Sequence, residues 1–403
     1  MSFFKALFIA AAVLLFSGYA EAQQQQQPQQ SQPQWQMPSW QALTSDQPAQ
    51  PLSVVLPTGM KLTAFGVFDI SEAYYTSVSN ATNTGSSGSA LRGVSGMLTV
   101  PEIGLKGEQP IGFLGQNTKF IFDIEAGFDD TRFTGNDPNH VFSRNAFLGA
   151  TGDFGSLTFG RQWNFNDGYI IGSFFTGGYP VSIFRLTEFG ELSDLHDNVV
   201  KYVTPSFYGF QAGAYYQVDG DTGAASQDKA RELMVSYKLN PFSVAAVFEQ
   251  QTDPYGNVVS QLETFGASYV IGDVKLRGGF SVNHLSPSAA LYPGGTAPIP
   301  ILAPETAMLY SVGADWKVTS RLVLSGDFIY RDNVTLANNT QIYRLLADYR
   351  VNAYVDVYGQ LAYLTNGDGA AESFYSLGSA TYLGSGYANQ SQFVANTGLR
   401  FRF

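Results

Sequence analysis

The chain has 403 residues, with 33 Asp and Glu against 22 Lys and Arg, a formal net charge of −11 and no cysteine. Without cysteine there is no disulfide scaffold, thiolate metal site or cysteine nucleophile, and the acidic balance argues against a nucleic-acid partner. Charged and aromatic residues each make up 14% of the chain. A soluble globular chain carries about 25% charge, so the composition favours a surface that meets lipid.

Residues 1–22 read as a secretory signal: Lys5, an apolar run from Ala6 to Phe16, and the small-residue site Ala20-Glu-Ala22. The apolar run is well short of the roughly 20 residues a membrane-spanning helix needs. Residues 23–57 are dominated by Gln, Pro and Ser. Such a segment buries too little apolar area to offset its ordering entropy. It reads as a periplasmic linker, or as a tethering or subunit-contacting arm with Trp35, Met37 and Trp40 as anchors.

From Lys61 onward the chain is a train of sixteen alternating segments: 61–75, 95–107, 118–128, 142–151, 155–163, 197–204, 209–218, 230–239, 242–251, 259–271, 274–284, 306–317, 320–331, 340–350, 353–364 and 392–403. Their lengths suit a tilted transmembrane strand of about 9–11 residues. Short turns such as Asn240-Pro241 and Gly272-Asp273 alternate with long connections rich in Gly, Ser, Asn or Pro. Short turns on one rim and long loops on the other are the plan of an outer-membrane β-barrel. The expected fold is therefore all-β, an antiparallel sixteen-stranded barrel over residues 58–403.

Period two assigns the faces. Phe120, Phe122, Ile124 and Ala126 oppose Lys119, Asp123 and Glu125, and Leu322, Leu324, Phe328 and Tyr330 oppose Ser325, Asp327 and Arg331. Tyr343, Leu345, Ala347 and Tyr349 oppose Arg344, Asp348 and Arg350, and Leu399, Phe401 and Phe403 oppose Asn396, Arg400 and Arg402. One face is apolar because it touches lipid, the other polar because it is wet. Asp123, Glu125, Asp327, Arg331, Arg344, Asp348 and Arg400 are the expected pore wall.

After Gln162 the alternation stops for more than thirty residues. The excursion is first Gly-rich and aromatic (Tyr169, Phe174, Phe175, Tyr179), then acidic (Glu188, Glu191, Asp194, Asp197). An insertion of that length among short strands is functional or disordered, and its aromatics predict packing against the inside of the barrel. The stretch SRNAFLGATGDFGSLTFGRQ (143–162) resembles the third-to-fifth strand region of Gram-negative general porins. Leu186-Thr-Glu-Phe-Gly-Glu191 is similar to the L-P-E-F-G-G signature of their constriction loop, and Lys201-Tyr-Val-Thr-Pro-Ser-Phe-Tyr-Gly-Phe210 follows in the family's order.

The resemblance implies a homotrimeric outer-membrane porin for passive diffusion of small hydrophilic solutes and ions, with no cofactor. It implies a constriction at which Glu188 of the loop faces Arg144 of the wall; Glu191 and Asp194 crowd the same end of the loop, Arg161 lies in the motif region, and Lys201, on the strand leaving the loop, is a candidate replacement cation. Glu102 stands where many of these porins carry a further arginine, a departure that weakens the basic side of the field. A carboxy-terminal Phe403 on the lipid-facing register resembles the signal read by the barrel-assembly machinery. The long Gln/Pro arm departs from the family pattern.

Chemistry elsewhere is sparse. His140, His196 and His284 have no neighbouring Ser arranged as a triad would require and no spacing that converges on zinc. Asp219-Gly-Asp-Thr-Gly223 lacks the remaining ligands of a Ca²⁺ loop. The competing readings are a substrate-selective channel with Tyr169, Phe174, Phe175 and Tyr179 as a guided path, a barrel enzyme, and an adhesion or envelope-tethering protein. With acids in excess, mild cation preference is expected.

Overall fold

The computed structural model describes residues 51–78, 88–112, 115, 117–175, 195–218, 229–252, 256–286, 290–291, 299–300, 304–376, 381–383 and 388–403. Sixteen antiparallel strands cross the wall. The first eight are β1 (Lys61–Val78), β2 (Gly88–Ser95 and Glu102–Pro110), β3 (Lys119–Asp129), β4 (Ala146–Gly152), β5 (Gly155–Trp163), β6 (Leu195–Val203), β7 (Phe210–Gln217) and β8 (Lys229–Leu239). The rest are β9 (Phe242–Thr252), β10 (Val258–Ile271), β11 (Val274–Leu285), β12 (Glu305–Lys317), β13 (Leu322–Asn333), β14 (Asn338–Arg350), β15 (Val355–Gly367) and β16 (Ser391–Arg402). Each pairs with its sequence neighbours, and β16 closes on β1 with Val67 opposite Arg402 and Tyr75 opposite Val394. Closure removes the open edges that lipid could not satisfy.

The faces follow the sequence pattern. On β14, Leu345 is 64% exposed while its neighbour Arg344 is 4% exposed. Leu233, Val235, Phe265, Val312, Leu361 and Leu399 likewise point outward, and Glu232, Glu249, Ser281, Asp327, Asp348 and Arg400 point in. This inverts the arrangement of a soluble barrel and matches a wall with lipid outside.

Three expectations change. The second strand is broken between Ser95 and Glu102. Residues 96–101 face only Phe68 and Asp69 of β1, so the surplus chain bulges inward, burying Met97 and Leu98. Gly96 (φ 68°) makes the turn, and the Asp69 carboxylate accepts the N–H groups of Leu98 and Thr99. A carboxylate supplies the acceptors that a strand partner would otherwise provide.

The wall also begins before residue 58. Leu52–Val55 pairs with Lys61–Ala64 and continues the line of β16, whose Phe403 exchanges two backbone hydrogen bonds with Gly66. The last residues of the 23–57 segment therefore belong to the barrel. Third, the lumenal face is not uniformly polar. Tyr75, Ile342, Leu346, Ala362, Leu364 and Val394 occupy inward positions on β1 and β14–β16 and are all nearly fully buried.

Candidate pore lining and constriction

The chain leaves β5 at Trp163 and enters a π-helical segment, Asn166–Phe175, that packs on β9 to β12. Strand-interior glycines explain why it seats there. A Cβ on Gly213, Gly266 or Gly279 would collide with Phe165, Phe174 or Phe175, respectively, so each glycine is a socket for one aromatic ring. An aromatic ring laid over a strand glycine recovers the packing that the missing side chain forfeits.

Polar contacts hold the same segment. The Phe165 N–H donates to Glu232 Oε2 at 2.6 Å, Asn164 Nδ2 to Glu249 Oε2 at 3.3 Å, and Lys275 Nζ to the Ser173 carbonyl at 2.9 Å. The Phe175 carbonyl accepts from Arg277 Nη1 at 2.7 Å and from Ser311 Oγ at 3.2 Å. All these wall partners lie on the lumenal face, so the described part of the long loop lies inside the barrel. Phe174 and Phe175 are buried anchors and do not line a guided path. Tyr179, Glu188, Glu191 and Asp194 lie outside the described residues.

The wall charges fall into local clusters, several built from direct cross-strand partners. Lys106 stands opposite Asp123, 3.2 Å away, and reaches Glu125 at 3.3 Å. Arg144 precedes β4 and does not lie within it; it pairs with Glu102 and, at 3.8 Å, with Glu125, and stacks 4.8 Å from the Trp163 ring. Glu102, read as the departure that removes a cation, is thus the direct partner of one.

Arg161 pairs with Asp197 at 3.0 Å and donates to the Ser143 carbonyl at 3.1 Å. His140 bridges Asp137 (2.7 Å) and Asp197 (3.0 Å), linking the 130–145 loop to the root of the long one. Arg344 stands opposite Asp327 and donates to it at 2.6 Å, while Arg277 grips Asp315 through two 3.0 Å bonds and also pairs with Asp327. Gly313 leaves the room that Arg277 and Asp327 occupy. Arg400 lies opposite Asp356 at 2.8 Å and reaches Asp348 at 3.0 Å and Thr99 Oγ1 at 2.9 Å.

Lys201 is a tether, which corrects its expected place in the gap. Its ammonium donates to the Trp163 carbonyl at 2.8 Å beneath the rings of Phe165 (4.7 Å) and Tyr215 (5.8 Å). Arg331 pairs with Glu372 of the last long loop at 3.4 Å. Every wall cation named from the sequence thus has a carboxylate or carbonyl within 4 Å. Opposite charges facing each other across strands stabilise the sheet, and partly desolvated they are screened little by salt.

Sequence reading missed Arg277, although Lys275 and Arg277 alternate with Leu276 in the pattern that revealed the other strands. It also missed Asp69, whose carboxylate accepts the Tyr358 hydroxyl as well as the bulge. No spacing in the sequence signals a contact between residues so far apart.

A closed barrel with an apolar exterior, a charged interior and a loop packed against its inner wall is a transmembrane channel. A family model described as Gram-negative porin matches residues 9–369, and the chain belongs to that family. It is 25% identical over 366 residues to outer membrane porin protein 32 of Delftia acidovorans, covering 85% of this chain and 94% of that one. Among solved structures, the anion-selective porin from Comamonas acidovorans superposes with a TM-score of 0.68 at 22% identity over 85% of this chain and all of that one. The outer-membrane expressed OmpT of Vibrio cholerae gives 0.60 at 17% identity, with 85% and 98% covered. The chain is an outer-membrane porin, a channel for passive diffusion.

Proposed function

We propose that this porin filters small hydrophilic solutes and ions at a constriction made by the 164–194 loop, and that the filter mildly prefers cations. The observation that carries the reading is the seating of Phe174 and Phe175 on β10 and β11. The chain must return from there to Leu195, which opens β6, and on the way it carries Glu188, Glu191 and Asp194. The facing wall cations, Arg144 and Arg161, are already neutralised by Glu102, Glu125 and Asp197. Acids thus outweigh free cations at the gap, where low-dielectric walls focus the field on passing ions.

Replacing Glu188 and Glu191 with Gln removes charge at near-constant volume. The reversal potential in a salt gradient should move towards anions while conductance changes little. Shortening the loop between Gly177 and Gly190 keeps the aromatic anchors and should raise both conductance and the solute size limit. An unchanged reversal potential together with an unchanged size limit would remove the loop from the filter. The anion-selective structural neighbour makes the sign of the wild-type reversal potential informative in itself.

The assembly we infer is a homotrimer in outer-membrane lipid, exported by the 1–22 signal and inserted by the barrel-assembly machinery through Phe403. The Gln/Pro-rich segment that follows the signal reads from its composition as a periplasmic linker or arm. A fold neighbour, OmpT of Vibrio cholerae, is described in a trimer form, which supports the oligomer.

A further inference from the structure

The lumen carries a second inward element. On β1 and β14–β16, inward positions that a wet wall would fill with polar side chains hold an apolar island. Ile342 lies opposite Leu364, Ala362 opposite Val394, and Val394 opposite Tyr75, forming two adjoining rows across four strands. Leu364 and Val394 have no exposed surface, and Tyr75, Ile342 and Ala362 are at most 4% exposed. Water is therefore excluded from this sector.

The described part of the 368–390 loop belongs to the same buried cluster through Phe374 and Leu383. Its backbone is fastened to inward-facing side chains of the wall. The Phe374 N–H donates to Gln392 Oε1 at 2.8 Å, and the Leu383 N–H donates to the Phe374 carbonyl at 2.7 Å. Gln392 Nε2 in turn donates to the Leu383 carbonyl. Asn366 brackets Glu372 with two bonds: its Nδ2 donates to the Glu372 carbonyl at 2.9 Å, and its Oδ1 accepts the Glu372 N–H at 3.1 Å. The Glu372 carboxylate lies 3.4 Å from Arg331 of β13. Inward strand residues thus satisfy the loop backbone one group at a time, as a buried loop requires.

We propose that the described part of the last long loop, residues 368–376, 381–383 and 388–390, is a second, seated constriction element. It fills the β13–β16 and β1 side of the lumen with apolar side chains, confines solutes to the remaining cross-section, and sets charge selectivity by neutralising Arg331 with Glu372. The proposal shares with the proposed function only the premise of a lumenal diffusion path. It assigns the path a second wall, on β13–β16 and β1, beside the β9–β12 sector where the first loop is seated. For an anionic solute, Arg331 would otherwise be an accessible cation; paired with Glu372 it is not.

Two variants test this in planar bilayers, each first shown to assemble by heat-modifiable migration. Glu372→Gln keeps the size and the backbone bonds to Asn366, and should shift the reversal potential towards anions with little change in conductance. Replacing Ala371–Ala388 by a short Gly-Ser link leaves every barrel strand intact and should raise conductance and the solute size limit. Unchanged conductance and size limit in the shortened chain would overturn the second constriction, and an unchanged reversal potential in Glu372→Gln would overturn its electrostatic role. If the shortened chain fails to assemble, Phe374→Ser, which frees the cover without removing it, is read for the same rise. The Glu188 and Glu191 variants report on the other loop alone, so either loop can fail while the other stands.

Discussion

At the scale of single residues, neighbours one position apart on a strand have opposite solvents. Phe122 faces out over Gly107, and Asp123 faces in towards Lys106. Phe122→Arg should impair assembly, since an arginine near the midplane of a barrel's lipid face costs about 2–4 kcal/mol. Asp123→Asn should assemble and change selectivity, which heat-modifiable migration and reversal potentials will separate. Asp327 poses a sharper test because it is shared by Arg277 and Arg344. Asp327→Asn leaves Arg344 without its direct carboxylate partner, and breaking a buried pair on one side costs roughly 3–5 kcal/mol. A lowered unfolding midpoint in detergent is expected; an unchanged one would mean water reaches this cluster freely.

At the scale of elements, glycine sockets decide where the long loop lies. Gly266→Val or Gly279→Val would fill the notch that holds Phe174 or Phe175. The strand itself should tolerate valine, a good strand former. Each variant should therefore assemble normally yet show a larger or noisier conductance, because the loop has lost a seat and not the wall a strand. Period two in the sequence showed the strands because each carries its own alternation. The broken second strand escaped that reading: the run from Gly96 to Pro101 is apolar enough to pass for wall, and only pairing with β1 shows that six residues face two. The sockets escaped it too, since a glycine on a strand looks the same whether it faces a ring or solvent.

At the scale of the whole molecule, the seam between the two chain ends is the structural risk. Deleting Gln23–Gln50 behind an intact signal should leave a conducting barrel, since no described strand is lost. Extending the deletion through Val55 should not be neutral. It strips the partner from Lys61–Ala64 and opens a backbone edge beside Phe403, where unpaired groups next to lipid are costly. Lower yield or lower thermal stability of the longer deletion, measured against the shorter, is the expected result.

The sequence alone determined the class: an exported, cysteine-free chain of sixteen alternating strands with one apolar and one charged face, and a long loop bearing a porin-like acidic motif. Those features are local, because alternation, turn chemistry and composition need no knowledge of what a residue touches. Parity also put Asp123, Asp327, Arg344 and Arg400 on the face opposite the apolar one, and these side chains are buried in the described structure. Tertiary structure alone decided how those charges are used. Lys201 became a tether under Phe165, Glu102 the partner of Arg144, and Glu372 the partner of Arg331, each joined to a residue dozens of positions away. It also decided that part of the lumenal face is apolar and buried. Ile342, Leu364 and Val394 sit at positions whose parity faces water; strand pairing sets Ile342 beside Leu364 and Val394 between Ala362 and Tyr75, and the last loop adds Phe374 and Leu383 to their cluster. Period assigns a face to each side chain, but contacts made across the barrel decide what covers it.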